Sequence, residues 1–167
     1  SKQLDNALDA SARLLIELTD DNPANMQAQV IKYGLDPAHP LSARLSPRDR
    51  TRLERAAEDA EVPGGVATLQ AMRPWLAAVT LAVAPLVRAG MDPAAGVDKT
   101  LRARMEKAGK PVEGLETAEQ QLRMLADMPE PLQLSFLSQS LDEVAQGPAR
   151  LRDLIDAWRR GDTDEIA

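Results

Sequence analysis

The chain has 167 residues, 44% of them hydrophobic, and a formal net charge of -6, which is the balance of one soluble domain with a core. Aromatic residues make up only 2%, and no basic block interrupts the acidic residues, so the sequence lacks the features that bind nucleic acid. The absence of cysteine excludes disulfides and thiolate metal sites. We therefore expect a single domain over residues 1–167, without a nucleic-acid partner.

The first third of the sequence predicts two helices, one strand and a loop. Residues 3–10 have the pattern of a short helix. Residues 12–18 contain an apolar run without helical period and are followed by turn-forming residues, so they predict a buried strand. Asn22 and the proline after it predict the start of a helix that ends at Gly34. Residues 35–45 then predict a loop that carries the only histidine.

The middle of the sequence predicts a series of helices. Ser46, with a proline after it, is a typical N-cap and predicts a helix over 47–61. Gly64 and Gly65 are expected to break the chain, and helical segments are expected on either side of Pro74, the second of them over 74–89. Its apolar segment is too short to span a bilayer and is interrupted by a proline, so it predicts a buried helix. A further helix is expected over 98–108.

A second short strand is predicted over residues 111–116. Thr117 and Gln120 have the spacing of a capping box, in which each side chain bonds the backbone N–H of the other residue. They predict a helix over 118–127 that begins directly after the strand.

Apolar stripes at helical spacing predict the last two helices, over 131–146 and 148–160. Gly147 and Pro148 are expected to separate them. Together these elements predict a helix-dominated α/β fold, with a few short parallel strands and a helical portion that resembles a bundle.

Two carboxylates stand where the predicted strands end, Glu17 and Glu116. Ligands of open α/β sheets gather outside the carboxyl ends of the strands, where a carboxylate can bind a metal ion or act as a general base. We therefore predict that both lie at one end of the sheet and face a common cleft. The alternatives are a solvated or arginine-paired glutamate for Glu17, and a favourable charge at a helix N-terminus for Glu116.

The single histidine, His39, lies between two prolines in a polar segment. One histidine cannot build a histidine-rich zinc site, so a surface position is expected. The sequence also has no Gly-x-Ser-x-Gly elbow and no phosphate-binding glycine motif.

Short motifs along the whole chain resemble those of the TraB/GumN family. Each is weakly specific by itself, but their shared order and spacing make the resemblance specific. They are Leu14-Leu15-Ile16-Glu17-Leu18, Pro74-Trp75, Gly96-Val97-Asp98, Gly109-Lys110-Pro111-Val112, Gly114-Leu115-Glu116-Thr117 with Gln120, and Ala157-Trp158 with Gly161-Asp162.

The resemblance implies relatives among GumN-like bacterial proteins, PrgY pheromone-shutdown proteins and Tiki proteases, and a fold of the EreA/ChaN type. It implies a site that combines two Gly-x-x-His motifs with acidic residues. By resemblance, Glu17 matches the acid of the second strand and Glu116 the acid of the Gly-Leu-Glu motif. The histidine motifs would lie before Ser1 and after Ala167, so we expect this chain to be the middle portion of a longer protein.

These implications predict a fragment of a metal-dependent, peptidase-like hydrolase that is inactive by itself. The parent would hold a divalent metal ion, whereas two carboxylates without paired histidines should not bind zinc tightly. The alternative is a non-catalytic binding protein that sequesters a peptide or protein partner, and a third reading is a purely structural helical fragment. The resemblance and the absence of cysteine favour a periplasmic or secreted location.

Overall fold

The computed structural model describes residues 2–18, 22–88, 90 and 97–161, apart from the side chains of residues 2–4, 23, 97 and 146–158. Two strands, β1 (Leu14–Leu18) and β2 (Val112–Glu116), lie among helices in this part of the chain. The helices are α1 (Lys2–Ala10), α2 (Pro23–Gly34), α3 (Leu41–Arg44), α4 (Pro47–Asp59), α5 (Gly65–Leu69), α6 (Pro74–Arg88), α7 (Val97–Lys107), α8 (Ala118–Ala126) and α9 (Glu130–Arg160). The helix-dominated α/β class is confirmed.

The chain divides into two compact units. The strand unit comprises Ser1–Tyr33 and Gly90–Asp127, and the helical unit comprises Gly34–Ala89 and Met128–Ala167. The helical unit therefore interrupts the strand unit in sequence. Each unit has its own buried residues and is described by itself.

The strand unit is organised around the parallel pair of β1 and β2. Leu14 is aligned with Val112, and Leu18 with Glu116. Side chains alternate along β1, so that Ile16 is buried while Leu15 is 47% exposed. Both predicted strands and their parallel direction are confirmed, but β1 buries one face rather than both.

Helices α1 and α7 supply buried residues to this unit. Leu8 of α1 and Met105 of α7 are buried, as is Ile16 of β1, and α7 packs against both strands. Polar contacts fix α1 in place, because Arg104 pairs with the carboxylates of Asp5 and Asp9.

Lys110 also forms hydrogen bonds to α1. Its Nζ donates to the main-chain oxygens of Leu8 and Asp9, at 2.9 and 2.8 Å. These oxygens belong to the last turn of α1, where helix carbonyls lack intrahelical partners. Lys110 therefore stabilises the C-terminal end of α1.

The start of α8 is fixed by the capping box that the sequence predicts. Thr117 Oγ1 accepts from the backbone N–H of Gln120 at 3.2 Å, and Gln120 Oε1 accepts from the backbone N–H of Thr117 at 2.8 Å. Ala118 and Ala126 are buried near the two ends of α8. The helix thus starts one residue after β2, with its first turn locked.

The helical unit has a core of leucine and alanine. Helix α6 packs along α9, and α4 packs against both α5 and α9. Trp75 and Leu81 of α6 are buried, whereas Val83 and Val87 are 40% and 53% exposed, so the predicted buried helix is buried only in part. The buried cluster consists of Leu41, Leu45, Leu53, Ala56, Ala57, Ala60, Val62, Leu69, Ala77, Ala78, Leu81, Leu137 and Leu141.

Arg52 joins α4 to α9 at the edge of this core. Its guanidinium donates to Ser138 Oγ at 3.1 Å and to the Ser138 main-chain oxygen at 2.9 Å, and it pairs with Asp49 and Asp142.

Ser46 caps α4 by accepting from the backbone N–H of Asp49. The predicted N-cap is confirmed, and the helix ends two residues earlier than expected.

Two predictions about the helical unit are wrong, namely the break at Gly147 and Pro148 and the loop over 35–45. Helix α9 runs without interruption through Gly147 and Pro148, although a proline inside a helix removes one backbone hydrogen bond. The predicted loop 35–45 contains the short helix α3. The stripe over 151–158, which includes Leu154 and Trp158, lies outside the described side chains.

Within the described part of the chain, none of the helices is long and apolar enough to cross a membrane. Helix α6 is the most apolar candidate, and it contains Pro85.

We expect Leu141→Asp to unfold the helical unit. Leu141 is 2% exposed in the leucine and alanine core, and burying an unpaired charge costs several kcal/mol against a total stability of about 5–15 kcal/mol. Leu132→Asp is the matched control, because Leu132 lies on the same helix and is 57% exposed. Thermal melting by circular dichroism should show a cooperative transition for Leu132→Asp only, and a cooperative transition for Leu141→Asp would contradict the assigned core.

Candidate functional site

Glu17 lies one residue before the end of β1, with an exposed side chain. Its Oε1 accepts a hydrogen bond from Gln121 Nε2 of α8 at 2.7 Å. The carboxylate is therefore accessible and accepts a hydrogen bond from the neighbouring helix α8. The sequence alone does not single out Gln121, because a glutamine inside a helix is ordinary.

Glu116 is the last residue of β2 and directly precedes the N-cap Thr117 of α8. Its side chain is exposed. A negative charge beside a helix N-terminus is favourable by itself. The favourable charge at the start of α8 therefore explains an acidic residue at position 116 without any bound ligand.

The register separates these two carboxylates. Leu18 is aligned with Glu116, so Glu116 lies on the sheet face of Ile16 and Leu18, whereas Glu17 lies on the opposite face. Both residues stand at the carboxyl end of the sheet, as predicted. The prediction that they face a common cleft is wrong. Aligned residues of parallel strands share a face, and Glu116 is aligned with Leu18 rather than with Glu17.

The face that carries Glu17 is largely open in the strand unit. It also holds Leu15, Glu113 and Leu115, by strand alternation, and Leu115 is 69% exposed. Arg13 pairs with Glu113 at 3.7 Å, and both side chains are exposed. Glu17 therefore stands beside a mixed surface of leucine and paired charges.

A metal ion needs more ligands than these residues bring together. Among the described residues, no three His, Cys, Asp or Glu side chains form a group that could hold a metal ion. Glu17 and Glu116 lie on opposite faces of the strand pair. Their assignment as metal ligands and the expected weak zinc binding of this chain both stay predictions.

His39 is on the surface, as predicted, with a side chain that is 71% exposed. Its Nδ1 is 3.0 Å from Asp36 Oδ1. Asp36 also pairs with Arg44, whose guanidinium is 3.2 Å from Glu130 Oε1. The hydrogen bonds from His39 and Arg44 hold the pKa of Asp36 below its ordinary value of 3.8. Asp36, Arg44 and Glu130 thus connect the loop before α3 to the start of α9, and His39 joins them through Asp36.

Residues of two family-like motifs have structural roles in these units. Trp75, of the Pro-Trp step, is buried at the start of α6. Lys110, of the Gly-Lys-Pro-Val motif, stabilises the end of α1, and the Pro111 main-chain oxygen accepts from Leu14 N at 3.0 Å as β1 and β2 begin to pair. The motifs thus mark where the strand pair and the long helices begin.

A sequence model of the TraB/PrgY/gumN family matches residues 1–167 of this chain. An α/β chain with two parallel strands, which carry acidic residues at or next to their last positions, accords with the resemblance seen in its motifs. The chain belongs to the TraB/PrgY/gumN family. No curated protein and no solved structure matches it.

We expect Asp36→Asn to lower the melting temperature at neutral pH, because it removes the charge that His39 and Arg44 share. A carboxyl with a depressed folded pKa contributes stability above its unfolded pKa and loses that contribution as the pH falls through the folded pKa. The difference between wild type and Asp36→Asn should therefore be full at pH 7 and disappear as the pH falls below 3.8.

Asp127→Asn is the control for this titration. Asp127 forms an exposed i,i+4 pair with Arg123, and such pairs contribute little. Melting curves across pH that show the same small change for both variants would contradict the assigned Asp36 network.

Proposed function

We propose that this chain is part of a peptidase-like hydrolase in which Glu17 is the acid–base residue. The observation that carries the proposal is the Glu17 carboxylate itself, which lies at the carboxyl end of a parallel strand, exposed and oriented by Gln121. Family membership supports the same assignment. Ligands of parallel sheets gather at this end of the strands.

In the proposed reaction, Glu17 takes a proton from a water molecule while the water oxygen bonds to the substrate carbonyl carbon. The same carboxyl then gives that proton to the leaving nitrogen as the carbon–nitrogen bond breaks. A positioned carboxylate of this kind contributes about 10²–10⁴-fold to a rate. Glu116 stabilises the start of α8 and takes no part in the proton transfer.

The residue types fit a metal-dependent site only in part, since the described residues contribute one carboxylate on each sheet face. We propose that the complete protein adds the remaining ligands, and that a divalent metal ion there supplies a polarised water or carbonyl. The parallel strands connected through helices support an EreA/ChaN-like fold for the complete protein. A periplasmic or secreted location is proposed on the family resemblance and the absence of cysteine.

The alternative function is the sequestration of a peptide without turnover. The exposed Leu15 and Leu115 favour it, because apolar side chains at a surface are suited to binding. Glu17 would then contribute charge to recognition and no chemistry.

We expect Glu17→Gln in the complete protein to lower kcat/KM by about 10²–10⁴-fold on a fluorescence-quenched peptide library. This substitution keeps the shape of the side chain and removes the proton acceptor. Glu116→Gln is the matched control and should retain activity within about tenfold, with a slightly lower melting temperature because of the lost helix-terminal charge.

The same library measured with and without a chelator separates the two functions. Turnover that a chelator abolishes supports the hydrolase. Chelator-insensitive binding without turnover, or wild-type activity in Glu17→Gln, would rule out the proposed reaction.

A further inference from the structure

The hydrogen bond between Gln121 and Glu17 connects elements that are far apart in sequence. Gln121 Nε2 lies 2.7 Å from Glu17 Oε1, a distance typical of a well-formed bond to a carboxylate. Glu17 is exposed, and Gln121 is half-buried. A partly covered amide therefore donates to one oxygen of a carboxylate whose side chain stays exposed.

The position of Gln121 is set by a rigid element. Its backbone N–H donates to the Thr117 main-chain oxygen at 3.2 Å, and the capping box fixes the first turn of α8. Buried Ala118 and Ala126 hold this helix at both ends. A donor that is fixed in this way can restrict a flexible glutamate to one rotamer.

We propose that Gln121 is a positioning residue for Glu17, an inference that rests on the proposed function. By donating to Oε1, the Gln121 amide leaves Oε2 as the oxygen that takes the proton from water. Loss of this bond lets the carboxylate rotate, and misplacement of a reacting group by about 1 Å lowers a rate by about 10²-fold. Gln121 touches no reacting atom and acts only through Glu17.

The test compares Gln121→Leu with Gln27→Leu in the complete protein. Gln27 is an exposed glutamine on α2 of the same unit, so the control repeats the chemical change away from Glu17. With the peptide library, Gln121→Leu should lower kcat by about 10- to 100-fold at an unchanged KM. Its melting temperature should match that of Gln27→Leu.

A spectroscopic readout tests the contact independently of activity. In the ¹⁵N-labelled complete protein, the side-chain amide signals of Gln121 should shift in Glu17→Ala and stay in place in Glu116→Ala. If Gln121→Leu does not fold, Gln121→Asn keeps the amide but withdraws it from Glu17, and the same loss of kcat is expected.

The outcomes separate this inference from the proposed function. Wild-type kcat in Gln121→Leu together with a large loss in Glu17→Gln overturns the positioning role alone. Unmoved Gln121 amide signals in Glu17→Ala overturn it as well. Absence of turnover in the wild type, or full activity in Glu17→Gln, overturns the proposed function and this inference with it.

Discussion

The parallel pairing of β1 with β2 brings together two segments that lie almost 100 residues apart, and the position of every candidate site residue depends on it. Closing a loop of that length costs chain entropy, and two strands by themselves are only marginally stable in water. The pair is supported because α7 packs against both strands, and α1 and α7 supply the buried residues Leu8 and Met105 to the same unit. Arg104 and Lys110 add polar ties to α1.

The same pairing decides which chemistry the strand ends can perform. Because the register aligns Leu18 with Glu116, the two acidic residues face opposite sides of the sheet and act separately. Glu116 has a local explanation in the N-terminus of α8. Glu17 has none of this kind, and its partner Gln121 comes from a helix whose start is fixed by a capping box. The geometry therefore concentrates the proposed chemistry on one carboxylate.

Local sequence signals predicted much of the fold. The N-cap at Ser46 and the capping box of Thr117 and Gln120 act through bonds over three residues, so short sequence patterns identify them. The break at Gly147 and Pro148 was predicted wrongly, because a local helix-breaking signal does not reveal whether a long helix continues through it.

The sequence predicted which acidic residues belong to the candidate site, but not how they are arranged. A strand-end position for Glu17 follows from the apolar run before it, and one for Glu116 from the predicted short strand and the capping box after it. Their separation onto two faces depends on the register of distant strands, which no local pattern encodes. The hydrogen bond from Gln121 to Glu17 is not encoded in a local pattern either, since it joins α8 to β1 through tertiary packing. Family membership rests on the sequence model that matches residues 1–167.

Glu17 and Glu116 occupy opposite faces of the strand pair, and this separation is what assigns the proposed chemistry to Glu17. The chain has no cysteine, so paired substitutions give a clean test by disulfide formation under mild oxidation, measured by mass spectrometry. Neighbouring strands lie about 4.8 Å apart, within the Cα separation that a disulfide spans. The register predicts a rapid cross-link in Leu18→Cys/Glu116→Cys and none in Glu17→Cys/Glu116→Cys. A cross-link in the second pair and its absence in the first would contradict the assigned register and the assignment of the chemistry to Glu17 alone.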